Sequence, residues 1–192
     1  MTKVTVREKY QGLSERELMD RAYKMAFNYE KYSRACAQAV VAGLHDVFEI
    51  DDVIVKASGP LSAGTARQFT GTCGALAGGL LVLGYFVGRP VENISATEQI
   101  QANLDAMSAA FPPAQEFVDK FWKQYGTILC PHIQMQLFGR TYWLPDPDDF
   151  AKFEEAGGHS APDKCCNVVG TAARWVTEIL VNSEDYKKSN RA

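Results

Sequence analysis

Five cysteines, Cys36, Cys73, Cys130, Cys165 and Cys166, are the residues of this chain best equipped for chemistry. Thiolates bind soft metals, hold iron–sulfur clusters and attack disulfides. Apart from the adjacent pair the five are widely spaced, so the chain has neither the close Cys-x2-Cys pairs of zinc ribbons nor a ferredoxin-like run. An odd set of thiols in a chain of this kind reads as metal-binding, catalytic or inert rather than as a disulfide framework. Adjacent cysteines form only a strained bridge, which makes Cys165–Cys166 a poor routine disulfide.

The cysteine positions share a local context. Cys36 lies three residues after Ser33, and Cys73 follows Gly71-Thr72 at the head of an apolar stretch. Cys130 lies three residues after Thr127, and Cys165 and Cys166 lie two and three residues after Asp163. Each site therefore falls in the expected first turn of a helix. That turn carries unpaired N–H groups and the positive end of the helix dipole, which favour a thiolate, the form that binds metal. The spacing predicts four helix starts converging on one electropositive pocket, with all five cysteines as candidate cofactor ligands. Taken singly, a helical cysteine is ordinarily a small buried apolar residue.

The elements that must position these thiols read as helices. Ser14-Glu15-Arg16-Glu17 is a capping-box pattern, followed by Leu18, Ala22, Met25, Tyr29 and Tyr32 at helical spacing. Ser33 is placed to cap the next helix, which carries Cys36, Val40, Leu44 and Val47, and Asp51 or Asp52 to start a short one. Residues 59–71 read as a loop, with Gly59, Gly64 and Gly71 able to let it fold over the site. An apolar helix follows over about 72–87, and Ser95-Ala96-Thr97-Glu98 suggests a second capping box opening a helix to about Ala110. Beyond Pro112-Pro113, Phe117, Phe121, Trp122 and Tyr125 share one side of a helix that Gly126 ends. A short helix covers 130–138, Pro145 and Pro147 mark a loop, and Asp146, Asp148 and Asp149 resemble a helix-start cluster. Asp163 is placed to cap a last helix with the stripe Val168, Val169, Ala172, Trp175, Val176, Ile179 and Leu180. The fold expected is all-α, an irregular multi-helix bundle forming a single domain over 1–192. The cysteine region spans about 33–180, and a frayed tail runs from about 184.

Composition narrows the function classes. With 192 residues, 46 % hydrophobic and 22 % charged, the chain can bury a core without disulfide staples. A net charge of -3 offers no basic footprint for nucleic acid. The N-terminus has no apolar signal region, and the longest apolar stretch, 75–87, is too short to span a bilayer. A cytoplasmic protein away from membranes is expected. Gly-x-Gly-x-x-Gly openings, P-loops, Gly-x-Ser-x-Gly elbows and His-Glu-x-x-His pairs are missing.

Several segments together resemble the C-GCAxxG-C-C family of redox-active proteins. They are Cys36-Ala37-Gln38-Ala39-Val40, then Gly71-Thr72-Cys73-Gly74-Ala75-Leu76-Ala77-Gly78-Gly79, then Thr127-Ile128-Leu129-Cys130. Gly157-Gly158-His159 with Asp163-Lys164-Cys165-Cys166 completes the set. The central motif departs from the family label, because here the order is Cys73-Gly74-Ala75. A related domain in split-Soret cytochromes resembles an iron–sulfur module, although this chain lacks the Cys-x-x-Cys-His of c-type haem attachment. The resemblance implies that Cys36, Cys73, Cys130 and one or both of Cys165 and Cys166 ligate a centre, with Cys166 as the fourth member of the metal set. An iron–sulfur cluster such as [2Fe–2S], used in electron transfer with a redox partner protein, is the implied cofactor.

Other readings stay open. A thiol oxidoreductase would use Cys73 as nucleophile and Cys165 or Cys166 to resolve it. A non-catalytic helical protein would bind zinc or no metal at all, and a homo-oligomer could form. His159, in the Gly-Gly-His loop, and His132, two residues after Cys130, could be ligands, hydrogen-bond donors or proton carriers, whereas His45 reads as structural. Arg67 and Lys164 could lower a thiol pKa, or simply be solvated. Gly74, Gly78 and Gly79 each cost a helix about 1 kcal/mol relative to Ala, which suggests close packing against a neighbour or a bound group.

Overall fold

The computed structural model describes residues 2–189. Among them are ten α-helices and no named strand, so the all-α expectation holds. The helices are α1 (Glu15–Ser33), α2 (Cys36–Val47), α3 (Asp52–Ala57), α4 (Gly74–Val87) and α5 (Ile100–Ala110). They continue with α6 (Pro112–Tyr125), α7 (Cys130–Phe138), α8 (Pro147–Glu155), α9 (Cys165–Asn182) and α10 (Glu184–Ser189). Two isolated antiparallel bridges tie distant segments together, Val6 with Phe48 and Thr72 with Leu129.

Helices α1, α2, α4 and α9 form the centre, with α6 laid against α4 and α9. The main core takes Leu18, Ala22 and Ala26 from α1, Val40 and Leu44 from α2, Leu76 and Leu83 from α4, and Val169, Val176 and Leu180 from α9. Close approach at this centre depends on glycine. A Cβ built on Gly78 would run into the Ala37 carbonyl of α2, so any larger residue would push α2 and α4 apart. The aromatic stripe of α6 fills the remaining space: Phe117 meets Phe121 edge-on at 5.3 Å, and Phe121 meets Trp175 of α9 at 5.5 Å. Trp122, expected on the same side, turns half outward.

A second, smaller apolar cluster of Phe69, Tyr142, Leu144 and Phe153 sits apart from this core. Helix α8 supplies Phe153 and begins as a capped helix: Asp146 accepts from the backbone N–H groups of Asp148 and Asp149 at 3.0 and 2.9 Å. The acidic cluster is thus a helix start, as expected. Pro147 is no loop residue but the first residue of that helix, where its missing N–H has no intrahelical partner to lose.

Other local expectations need correction. The Ser14–Glu17 capping box is present. The buried stripe of α1, however, runs 18, 22, 26, 30 and ends on Glu30, while Tyr32 points to solvent. Ser33 ends α1 instead of capping α2, Asp163 does not cap α9, and Ser95 hydrogen-bonds Thr97 five residues before α5 starts. Residues 184–189 are helical rather than frayed, with Tyr186 packed on the core. The rest of the expected tail, 190–192, lies outside the described residues.

Candidate functional site

The helix starts do meet. Cys36, Cys130 and Cys165 are the first residues of α2, α7 and α9, and Cys73 is the N-cap of α4. All four line one cavity of about 340 Å³. The Thr72–Leu129 bridge locks two of them together: the Cys73 N–H donates to the Ile128 carbonyl at 2.8 Å, and the Cys130 N–H to the Gly71 carbonyl at 2.9 Å. Cys36 is fixed by the loop, whose Ala63 N–H donates to its Sγ at 3.2 Å. Gly74 leaves room for that sulfur, because a Cβ there would run into Cys36 Sγ. Gln134 reaches Cys130 Sγ at 3.7 Å with its amide nitrogen and accepts the Tyr142 N–H at 2.8 Å with its oxygen. All five cysteines are free thiols.

Cys166 is not part of the cavity wall. Successive residues on a helix point about 100° apart. On α9 the face holding Cys166, Gly170, Ala173 and Thr177 is fully buried, and Gly170 packs on Tyr23 of α1. Cys165 with Val168 and Val169 turns to the cavity instead. The four-cysteine set expected with Cys166 as its last member is therefore not the set the fold brings together; Cys165 takes that place.

The loop over the cavity is conformationally strained. Ala63, Gly64, Thr65, Ala66 and Arg67 all have positive φ, as does Phe69. Within this run of five left-handed residues, the four with side chains each cost about 1–2 kcal/mol, which takes strong tertiary constraint to hold, and Gly64 alone escapes that penalty. Gly64 tolerates no side chain in any case, because a Cβ would lie 2.7 Å from Phe69 Cα. Ala63, Arg67 and Phe69 all reach the cavity, so the loop does cover the site. Arg67 stays largely solvated, with one long contact of 3.4 Å to the Leu144 carbonyl.

A polar edge completes the wall: Glu30, Arg34 and His159. His159, 8 % exposed, hydrogen-bonds Glu154 through Nδ1, and its Nε2 lies 3.7 Å from Glu30 Oε1. Glu154 is in turn paired with Arg34 at 3.4 Å. Desolvation lowers the His159 pKa against the pull of Glu154. His132 is exposed, contacts Thr127 Oγ1 at 3.3 Å and lies outside the wall. Lys164 is also outside it, donating to the Leu137 carbonyl at 2.6 Å. His45 joins Arg7 and Asp52 near the N-terminus, a structural role.

The electrostatics overturn one expectation. Helix starts alone predict stabilised thiolates, but here burial dominates. It pushes the Cys73 and Cys130 thiols up to about 12. Cys36 and Cys165 are raised further, and the neighbouring cysteines and Glu30 add to the effect. The N–H groups of Ala75 and Leu76 at Cys73 pull the other way and lose. Without a cation the cavity holds neutral thiols, which is the opposite of an activated nucleophile. Glu30, Gln134 and Ser62, whose Oγ accepts the Ala37 N–H at 3.2 Å beside Cys36, escaped the sequence reading. Only Glu30 left a trace there, as a carboxylate at the fourth step of the stripe 18, 22, 26, 30.

Fold and site together define an all-α protein with a buried, four-cysteine cavity built at helix N-termini. A family model described as "Putative redox-active protein (C_GCAxxG_C_C)" matches residues 34–179, and the chain belongs to that family. No curated protein and no solved structure matches it. Among the described residues no helix is long and apolar enough to cross a membrane.

Proposed function

We propose that the cavity holds an iron–sulfur cluster on Cys36, Cys73, Cys130 and Cys165, and that the protein passes electrons between redox partners in the cytoplasm. One observation carries this reading: four thiols from four separate helix starts face a single buried space. Four cysteines suffice for a [2Fe–2S] or [4Fe–4S] cluster. Among the described residues, no three His, Cys, Asp or Glu side chains are gathered as a site for one metal ion. A zinc ion with four thiolates at 2.3 Å needs its sulfurs about 3.8 Å apart. A cavity of about 340 Å³ lined by four cysteines has room for a cluster, which is larger than a single ion.

Bound there, the cluster supplies a one-electron centre. The chain's own residues do the rest. The Ala63 and Gln134 N–H groups are aimed at Cys36 and Cys130 sulfur, where hydrogen bonding raises a cluster's potential. The apolar cluster of Phe69, Tyr142, Leu144 and Phe153 shields one side of the cavity from water. Because all four thiols are neutral when buried alone, loading must release their protons, so metal uptake tightens as pH rises. Protein purified without oxygen should be brown and contain iron and acid-labile sulfide. A colourless, iron-free protein from the same preparation contradicts the proposal.

A further inference from the structure

Glu30 is the one acidic side chain sealed into the described core beside the thiols. Its side chain is 4 % exposed, it belongs to the cavity wall, and its Oε2 has no hydrogen-bond partner. It sits on the last turn of the α1 stripe, where Leu18, Ala22 and Ala26 would lead one to expect an apolar residue. A buried carboxylate oxygen left unpaired costs stability, more than a neutral group does. When ionised, it raises the pKa of all five thiols. His159 does not satisfy it: Nε2 stands 3.7 Å from Oε1, and Nδ1 is already engaged by Glu154. Glu30 also precedes the residues 34–179 matched by the family model, so it is not part of the cysteine signature.

An ionised carboxylate only accepts, and so do thiolates and sulfides. Among sulfur atoms it therefore finds a partner only in a cation. We propose that Glu30 is an oxygen ligand to iron, a fifth donor beside the four cysteines. The two carboxylate oxygens exchange by rotation about the terminal side-chain bond, so the unpaired oxygen is available to the cavity. On coordination the oxygen lone pair forms the Fe–O bond, and any carboxyl proton leaves to solvent with the thiol protons. Burial holds Glu30 in the empty site up to about 8, so it rests largely neutral there until a cation arrives. The inference rests on the iron–sulfur reading above.

The test compares wild type with E30Q, both made anaerobically and loaded with 57Fe and sulfide. Mössbauer spectra of the wild type should show one iron site distinct from the others, with the higher isomer shift of oxygen ligation. In E30Q that distinct site should disappear while iron content stays within about a third of wild type, because the four cysteines remain. Melting of the iron-free proteins supplies a second readout. At pH 9, where Glu30 is ionised in the empty site, removing the unpaired carboxylate should raise Tm by roughly 3–8 °C in E30Q. A loaded wild type whose irons are indistinguishable, or an E30Q spectrum identical to a split wild-type spectrum, overturns the Glu30 assignment alone. So does an iron-free E30Q that melts several degrees lower, which would make Glu30 a structural residue. Wild type that takes up no iron overturns the iron–sulfur reading, and this assignment with it.

Discussion

Two apolar clusters flank the cysteine cavity, and they differ in almost every respect. The large one, between α1, α2, α4, α6 and α9, contains Cys73 and packs against Cys36. The small one, Phe69, Tyr142, Leu144 and Phe153, packs against Cys130 and Cys165. The first is built from long helices in close contact. The second is assembled from two short helices, irregular segments and the end of the left-handed loop, with rings meeting edge-on, as Phe138 and Tyr142 do at 5.5 Å. Cys36, Cys73 and Cys165 therefore ride on helices of a rigid floor, and Cys130, on α7, rides on a thinner cover. The unfavourable features collect where the clusters meet: five positive φ values in a row, an unpaired buried carboxylate and four desolvated thiols. Such strain persists when surrounding structure over-determines it, and it concentrates at functional sites.

Breaking the floor should have the largest effect. Phe121→Ala removes a fully buried ring touching Phe117, Tyr125 and Trp175 and should cost about 3–5 kcal/mol in urea unfolding. A loss under about 1 kcal/mol would show that the floor is not the stable half.

Thiol chemistry comes next. Cys73 and Cys130 near 12 rather than 9.0 have about a thousandfold less thiolate at neutral pH. In metal-free protein their alkylation should be correspondingly slow and should climb about tenfold per pH unit from 7 to 11 without levelling off. A plateau below pH 9 would mean the cavity does stabilise thiolates, and would revive a nucleophilic Cys73.

The smallest effect belongs to the cover. Asp146→Ala deletes the cap of α8 and should cost about 1 kcal/mol. It should speed hydrogen exchange in α7 and α8 while leaving α4 and α9 protected, since local opening is drawn from the less stable parts of a fold. Equal acceleration in all four helices would merge the two clusters into one cooperative unit.

The floor was far more legible than the cover. Long apolar helices, such as α4 and α9, announce themselves, although the expected caps Ser33, Asp163 and Ser95 do not cap the helices they were read to open. The helix starts at Cys36, Cys73, Cys130 and Cys165 fall within a few residues of where they were expected, but none has a side-chain cap. What was hidden has physical reasons. Choosing between Cys165 and Cys166 requires knowing a helix start to one residue, because a shift of one rotates the side chain by about 100°. Helix α8 was masked by two prolines that local propensity reads as a loop. Glu30 is a charged residue on a buried stripe, placed there by tertiary packing that no local pattern encodes. Thiol ionisation failed as an expectation because dipoles were weighed without desolvation, and in this cavity desolvation outweighs them.

Iron and sulfide content of anaerobically prepared C165S and C166S, set beside wild type, tests the central claim most directly. Cys165 faces the cavity with Cys36, Cys73 and Cys130, while Cys166 packs toward α1. C165S should lose most of its iron and its visible absorbance, and C166S should keep both with at most a modest drop in Tm. The reverse pattern, with C166S empty and C165S loaded, would contradict the account.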